Sequence, residues 1–386
     1  MKVLHIVGFH PDIGGAYTVI KNLTKWLDKL GCKVGICSVL PENYLYKDIE
    51  VPQYMEDALI FKSNKMFSKF WPSFTNQIKE ITFIVKKYDI IHISGLFDYY
   101  SYFVSKNLNI PYIISPHGTL QPEVIHAKRR FEKRIFLLLI GKRILERAGA
   151  IHVLTEYERQ SLIDYLGIKN SIFLIPNGID PEDFENLPQE GALFEKYPNL
   201  KGKKIVLFLS RINWKKGLDD LIPAFREVVR EINNAHLLLV GPDNDGYMKY
   251  VNEWIEQYDL HKYTTYFGPA YGEDKLMVLQ DSNIFVLPSY SEGFPVSVVE
   301  AMYMQLPVVV TDRIGIPEIV SNYNAGIVIK KDKNEIVNAI ITLLKNEKLA
   351  KSMGDNGRNC IFQNFLWENI AKQMLEVYKK ILSNKN

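Results

Sequence analysis

The stretch Ser289-Tyr290-Ser291-Glu292-Gly293-Phe294-Pro295-Val296-Ser297-Val298-Val299-Glu300-Ala301-Met302 decides how this chain is read. It sets two glutamates eight positions apart around a glycine–proline turn. Residues 283–288 before it are apolar, few and closed by proline, the mark of a buried strand. Pro295 stands where a first helical residue is favoured, since its missing N–H has no intrahelical partner to lose. The N–H groups of Val296 and Ser297 come next, and unpaired N–H groups at a helix start attract anions. Glu292 lies in the turn, and Glu300 lies about 12 Å further along if the helix runs from the turn. Carboxylates beside an anion site are suited to accept hydrogen bonds from hydroxyl groups, as on a sugar and a ribose, rather than to bind the anion. The plainer reading is an exposed strand–turn–helix with two ordinary acidic residues near a helix start. The rest of the chain weighs between them.

At 386 residues the chain suits two domains of about 190 residues each. Short apolar runs alternate with helical patterns throughout, which predicts a parallel α/β architecture. Strands are expected at 3–8, 34–39, 90–94, 112–115, 151–154 and 172–175, then at 204–209, 236–240, 264–267, 284–287, 308–311 and 326–329. We expect an N-terminal domain over 1–180, a linker over 181–200, a second domain over 201–364 and a closing helix over 365–386. Each domain has strands enough for its own doubly wound sheet, with ligands outside the carboxyl ends of the strands. Two such sheets facing across a cleft would share one ligand. An apolar content of 47% supports a full core, and a net charge of +3 is too small to argue for nucleic acid. The three cysteines fit no metal spacing and no disulfide framework, so a reducing, cytoplasmic setting is expected. No apolar run approaches the ~20 residues that span a bilayer.

Further chemistry follows the expected strand ends. His10-Pro11-Asp12-Ile13-Gly14-Gly15-Ala16 pairs two glycines where the backbone can come close to a ligand, though its spacing is not the dinucleotide fingerprint. Ser210-Arg211-Ile212-Asn213-Trp214-Lys215-Lys216-Gly217 carries two cations able to neutralise phosphate, Arg211 and Lys216; the alternative is a solvated basic turn. His117, between Pro116 and Gly118, is placed to face a cleft, or is structural. Asp243-Asn244-Asp245 reads as a solvated turn before a metal site.

Taken together these pieces resemble glycosyltransferase family 4, retaining enzymes of the GT-B fold. The matching residues are Arg211-x4-Lys216-Gly217, then Pro288-Ser289-x2-Glu292-Gly293-Phe294-x5-Glu300-Ala301. Gly14-Gly15, Pro176-Asn177-Gly178-Ile179-Asp180, Val240-Gly241-Pro242, Phe267-Gly268 and Gly315-Ile316-Pro317-Glu318 support it, in the family's order. The resemblance implies a nucleoside diphosphate sugar as donor substrate; no cofactor is expected, and no metal, since Arg211 with Lys216 already supplies positive charge. Arg211 and Lys216 would hold the diphosphate and stabilise its departing charge, with Val296, Ser297, Gly14 and Gly15 adding backbone groups. Glu300 would bind ribose hydroxyls; Glu292, Gly293, Phe294 and Pro295 would bind the donor sugar; His117 would position it. Many members have glycine where this chain has Pro295, which puts sugar preference in question.

Two basic, apolar segments, 61–72 and 129–147, suggest an anionic membrane surface and a glycan or lipid-linked glycan acceptor. Single-stranded nucleic acid suits such a pattern too, but not beside these donor motifs. The expected function is metal-independent, retaining transfer of a hexosyl unit, with a UDP-sugar favoured, to a surface polysaccharide or glycolipid. Rivals are a nucleotide-sugar epimerase on the same fold, a synthase with a soluble acceptor, and a non-catalytic nucleotide-sugar binding protein.

Overall fold

Strands such as Ala-His-Leu-Leu-Leu-Val (235–240) and Val-Val-Val-Thr (308–311) are buried along their whole length. Two-sided burial is what a parallel sheet with helices on both faces demands. The computed structural model describes residues 1–8, 15–40, 51–62, 81–96, 110–120 and 135–384. Its chain divides into two compact units, Met1–Gly178 with Trp367–Asn386, and Ile179–Leu366.

The first unit contains β1 (Lys2–Ile6), α1 (Gly15–Lys29), β2 (Lys33–Leu40), β3 (Met55–Lys62), β4 (Ile90–Ser94), β5 (Tyr112–Ser115), α2 (Lys142–Arg147), β6 (Ala150–Val153), α3 (Glu156–Leu166) and β7 (Ile172–Leu174). Its seven strands lie parallel in the order β3-β2-β1-β4-β5-β6-β7. The edge strand β3 has no counterpart among the strands expected from the sequence. Glu56 and Asp57 interrupt its apolar run, as an edge tolerates, and Glu56 takes the Lys33 ammonium at 2.5 Å. Phe61 is consequently buried in the sheet and is no surface aromatic. Residues 63–72 of that expected basic segment lie outside the described residues. In the second segment Leu137, Ile144 and Leu145 face the core, while Leu139 is 64% exposed.

The second unit contains α4 (Ala192–Lys196), β8 (Lys204–Leu209), α5 (Leu218–Glu231), β9 (Ala235–Val240), α6 (Met248–Gln257), β10 (Thr264–Gly268), α7 (Gly272–Gln280), β11 (Ile284–Leu287), α8 (Val296–Tyr303), β12 (Val308–Thr311), α9 (Pro317–Asn322), β13 (Gly326–Ile329), α10 (Lys333–Lys345) and α11 (Glu347–Asn364). Six parallel strands run β10-β9-β8-β11-β12-β13. The stretch expected as a linker, 181–200, is built into this unit. Phe184, Leu193 and Leu200 are core residues, and the Asp281 carboxylate accepts the N–H groups of Gly191 and Leu193, both at 2.8 Å.

The closing helix α12 (Trp367–Ser383) belongs to the first unit and packs on α1. A buried chain of hydrogen bonds fastens it. Tyr378 Oη lies 2.6 Å from His92 Nδ1, His92 Nε2 2.6 Å from Ser115 Oγ, Ser115 Oγ 2.7 Å from His152 Nδ1, and His152 Nε2 2.7 Å from the Ile175 carbonyl. A carbonyl only accepts, so His152 carries its proton on Nε2. Nδ1 then accepts from Ser115, Ser115 accepts from His92 Nε2–H, and His92 Nδ1 accepts from Tyr378. One carbonyl thereby fixes every proton, with both rings neutral. His5 stacks beside His92, ring centres 5.0 Å apart, with neither nitrogen bonded among the described residues.

Burial pulls the pKa of His5 down to about 3 and of His152 to about 4, and holds His92 well below the ordinary value. The unfolded chain therefore binds more protons once pH falls below about 6.5. Stability is complete above that pH and drains as pH drops toward 4, at up to about 1.4 kcal/mol per pH unit for each histidine. Denaturant unfolding between pH 7.5 and 4.5 checks this: the first unit loses stability steeply, and His152→Asn flattens the slope. A pH-independent midpoint for this unit would contradict it.

Candidate active site

In the second sheet the strand order reverses direction between β8 and β11, which pair directly. At such a switch point the loops leaving two neighbouring strands diverge and leave a crevice at the carboxyl edge. The loop after β8 carries Arg211 and Lys216; the loop after β11 carries Glu292. Topology thus brings together side chains some eighty positions apart in the chain. Gly217 closes the first loop at φ +73°, and a Cβ there would stand 2.0 Å from the Pro288 carbonyl oxygen. Tyr290 N–H donates to the Lys215 carbonyl at 2.7 Å, lacing the two loops.

Lys216 Nζ and Glu292 Oε1 meet at 2.5 Å, with 11% and 14% of the two side chains exposed. Arg211 is exposed and makes no ion pair or hydrogen bond among the described residues. Tyr290 is held from two sides: its hydroxyl donates to Asp219 Oδ2 at 2.6 Å, and Lys331 lies 3.4 Å above its ring while pairing with Asp220. The Glu292 N–H donates to the Arg313 carbonyl at 3.1 Å, tying the turn to the loop after β12.

Helix α8 opens at Val296, with Pro295 as its N-cap at φ −80° and ψ 93°. The expected first helical residue is therefore one position out. Val298 N–H already returns to the Pro295 carbonyl, which leaves the Val296 and Ser297 N–H groups at the open end. Because the helix starts after the turn, Glu300 sits only about 6 Å along its axis. Glu300 is buried, and Lys275 Nζ contacts its Oε1 at 2.8 Å. Gly293 and Phe294 are half-buried, the latter packing on the core. Asp243 accepts the N–H groups of Tyr247 and Met248 at the start of α6, so its carboxylate is occupied as a cap.

In the first unit Gly15 is the first residue of α1, while Gly14 lies outside the described residues. His117 follows β5 in the left-handed region, φ 51°, next to Gly118 at φ 73°. With His92 and His152 it lines a cavity of about 10 Å³, room for about one water. Burial, reinforced by His152, lowers its pKa to about 3. A neutral imidazole can bond a hydroxyl and supplies no positive charge near pH 7.

Glu158 is a residue that reading the sequence does not find. Its buried carboxylate accepts Gly118 N–H at 2.6 Å and Leu154 N–H at 3.0 Å, buckling the His117 turn to the end of β6. Thr155-x-x-Glu158 has the spelling of a helix N-cap box, and Thr155 does cap α3. The spelling does not show that Glu158 reaches across to another strand.

Residues 13–183 match the family model described as Glycosyltransferase Family 4, and residues 189–360 that described as Glycosyl transferases group 1. The chain belongs to glycosyltransferase family 4. As a family 4 glycosyltransferase of the GT-B fold, it is similar along its whole length to an uncharacterized glycosyltransferase of Methanocaldococcus jannaschii, 25% identical over 98% of each chain. A Campylobacter jejuni enzyme, N,N'-diacetylbacillosaminyl-diphospho-undecaprenol alpha-1,3-N-acetylgalactosaminyltransferase, is 33% identical over 57% of each chain. The Anabaena protein HepE, solved in complex with UDP-glucose, superposes with a TM-score of 0.80 at 19% identity, covering 98% of this chain and 100% of that one.

Two substitutions test the frame of the site. Gly217→Ala in this glycosyltransferase meets both a left-handed φ, about 1–2 kcal/mol for an L-residue, and the Pro288 carbonyl. Denaturant unfolding should show the second unit destabilised by at least that much, and an unchanged midpoint would refute the close approach. Glu158→Ala strands two buried N–H groups, at about 1–3 kcal/mol each; a lower melting temperature with Glu158→Gln in between is the expected series.

Proposed function

We propose that this enzyme transfers a hexosyl unit from a UDP-sugar to a surface polysaccharide or glycolipid, with retention of configuration and without a metal. The observation that carries the reading is the pair of cations, Arg211 and Lys216, at the switch point with carboxylates Glu292 and Glu300 flanking an open helix start. Arg211 and Lys216 supply the positive charge a diphosphate needs, which makes a metal ion superfluous. The Val296 and Ser297 N–H groups add to that cradle.

The bond from the sugar's anomeric carbon to the diphosphate breaks, and its electron pair passes to the phosphate oxygen, where Lys216 and Arg211 stabilise it. The acceptor hydroxyl attacks the same face, and its proton goes to that phosphate oxygen. No protein nucleophile is required. Glu292 accepts hydrogen bonds from the donor sugar while remaining paired with Lys216, so one ion pair contacts both sides of the bond that breaks. Glu300 takes the ribose.

UDP is favoured in keeping with the fold shared with HepE, which was solved with UDP-glucose. A lipid-linked acceptor accords with the undecaprenol in the Campylobacter enzyme's name. No helix among the described residues is long and apolar enough to cross a membrane. We assign peripheral contact with an anionic bilayer to 135–147, where exposed Ile135 and Leu139 lie beside Lys142, Arg143 and Arg147.

Nucleotide release from UDP-, GDP- and ADP-sugars, with and without EDTA, tests the reading. We expect release from one donor, insensitive to EDTA, and reduced at least about a hundredfold in Lys216→Ala, on the scale of losing one charge-stabilising donor. Glu300→Gln should be impaired as well. EDTA-sensitive release would overturn metal independence, and retention is read from the anomer formed. Flotation with anionic vesicles, expected for the parent and weakened in Leu139→Glu, checks the membrane contact; failure of the parent to float would remove it.

A further inference from the structure

Lys275 on α7 has no part in the roles above. Its ammonium lies 2.8 Å from Glu300 Oε1 and 6.0 Å from the centre of the Phe184 ring. Lys275 is 25% exposed and Glu300 10%. Burial by itself lowers a lysine pKa; here the pKa is raised, because the Glu300 carboxylate, helped by Asp183, outweighs burial. Phe184 in turn packs on Tyr303, one turn along α8 from Glu300, with ring centres 4.6 Å apart. The lysine is thus wedged between the helix that bears Glu300 and the turn before α4.

We propose that Lys275 is a positioning residue that fixes the Glu300 carboxylate to receive a vicinal diol, and so makes the site select ribonucleotide over 2′-deoxyribonucleotide donors. The proposal rests on the reading of Glu300 as the ribose contact. A carboxylate is an acceptor with two oxygens. Lys275 engages Oε1 and, among the described residues, Oε2 has no donor. The two adjacent hydroxyls of a ribose then find Oε2 and the remaining lone pair of Oε1, side by side and at fixed orientation. Removing the lysine leaves a buried carboxylate without a counter-charge. Such a group turns toward water. A Glu300 no longer held at Oε1 by the lysine does not keep its two oxygens side by side for the diol.

Equilibrium binding of UDP, GDP and ADP, each beside its 2′-deoxy counterpart, tests this in the full chain. The parent is expected to prefer the ribonucleotide about tenfold, the scale of one hydrogen bond to a charged acceptor. Glu300→Gln should collapse that preference. Lys275→Met should collapse it too, whereas Lys275→Arg should retain it. A merely structural role would lower affinity for both sugars equally. If Lys275→Met fails to fold, Lys275→Gln takes its place in the comparison. Preference kept in Lys275→Met, or in Lys275→Gln where that replaces it, but lost in Glu300→Gln overturns the proposal alone. Preference kept in Glu300→Gln overturns the ribose reading and the proposal with it, as does a parent that binds no nucleotide.

Discussion

A single close approach, between Gly217 and the carbonyl of Pro288, conditions everything at the second unit's carboxyl edge. Strand order places the β8 and β11 loops side by side, but adjacency alone would leave them separated by side chains. A glycine with positive φ lets one loop settle directly onto the backbone of the other. Only then can Tyr290 N–H reach the Lys215 carbonyl, and only then do Lys216 and Glu292 come within an ion-pair distance. The Lys216–Glu292 pair depends on that backbone contact.

The two units hold polar groups in opposite ways. The first keeps its buried histidines neutral, linked by a hydrogen-bonded chain whose polarity is set by the Ile175 carbonyl. The second keeps charges and pairs them, Lys216 with Glu292 and Lys275 with Glu300. Neutral histidines tie a helix to a sheet at little electrostatic cost near pH 7. Buried ion pairs are poor sources of net stability, yet their charges are available to a ligand that brings both phosphate and hydroxyl groups. The contrast accords with one unit's cluster serving structure and the other's serving binding.

What can be read from the sequence is whatever the chain writes contiguously. Glu292, the helix start and Glu300 fall within one strand–turn–helix, and Arg211 with Lys216 within one loop, so spacing alone marks them. Twelve strands are legible as apolar runs, but β3 is not, because Glu56 and Asp57 sit in it and an edge accepts them. Pro295 reads one residue out of place, since the proline's φ suits both a cap and a first helical position, and its ψ of 93° decides for the cap. Lys275, Glu158 and Asp281 act on partners 25, 40 and about 90 positions away. No local pattern encodes such partners; they appear only when strands and helices are brought together. The same holds for α12, whose apolar stripe could serve either sheet until Tyr378 finds His92.

The chain enters the second unit at Ile179 and leaves it at Leu366, and these two residues form a bridge, with Ile179 N–H on the Phe365 carbonyl at 2.6 Å. The second unit is therefore an insertion with its two ends clasped together, while the first is discontinuous. During synthesis every residue of the second unit is translated before those of α12. The first unit, though begun earlier, must wait for its last helix to shield His92 and the face of α1. The unit begun first is thus the last to receive all of its residues, because the whole second unit is translated before the helix that completes it.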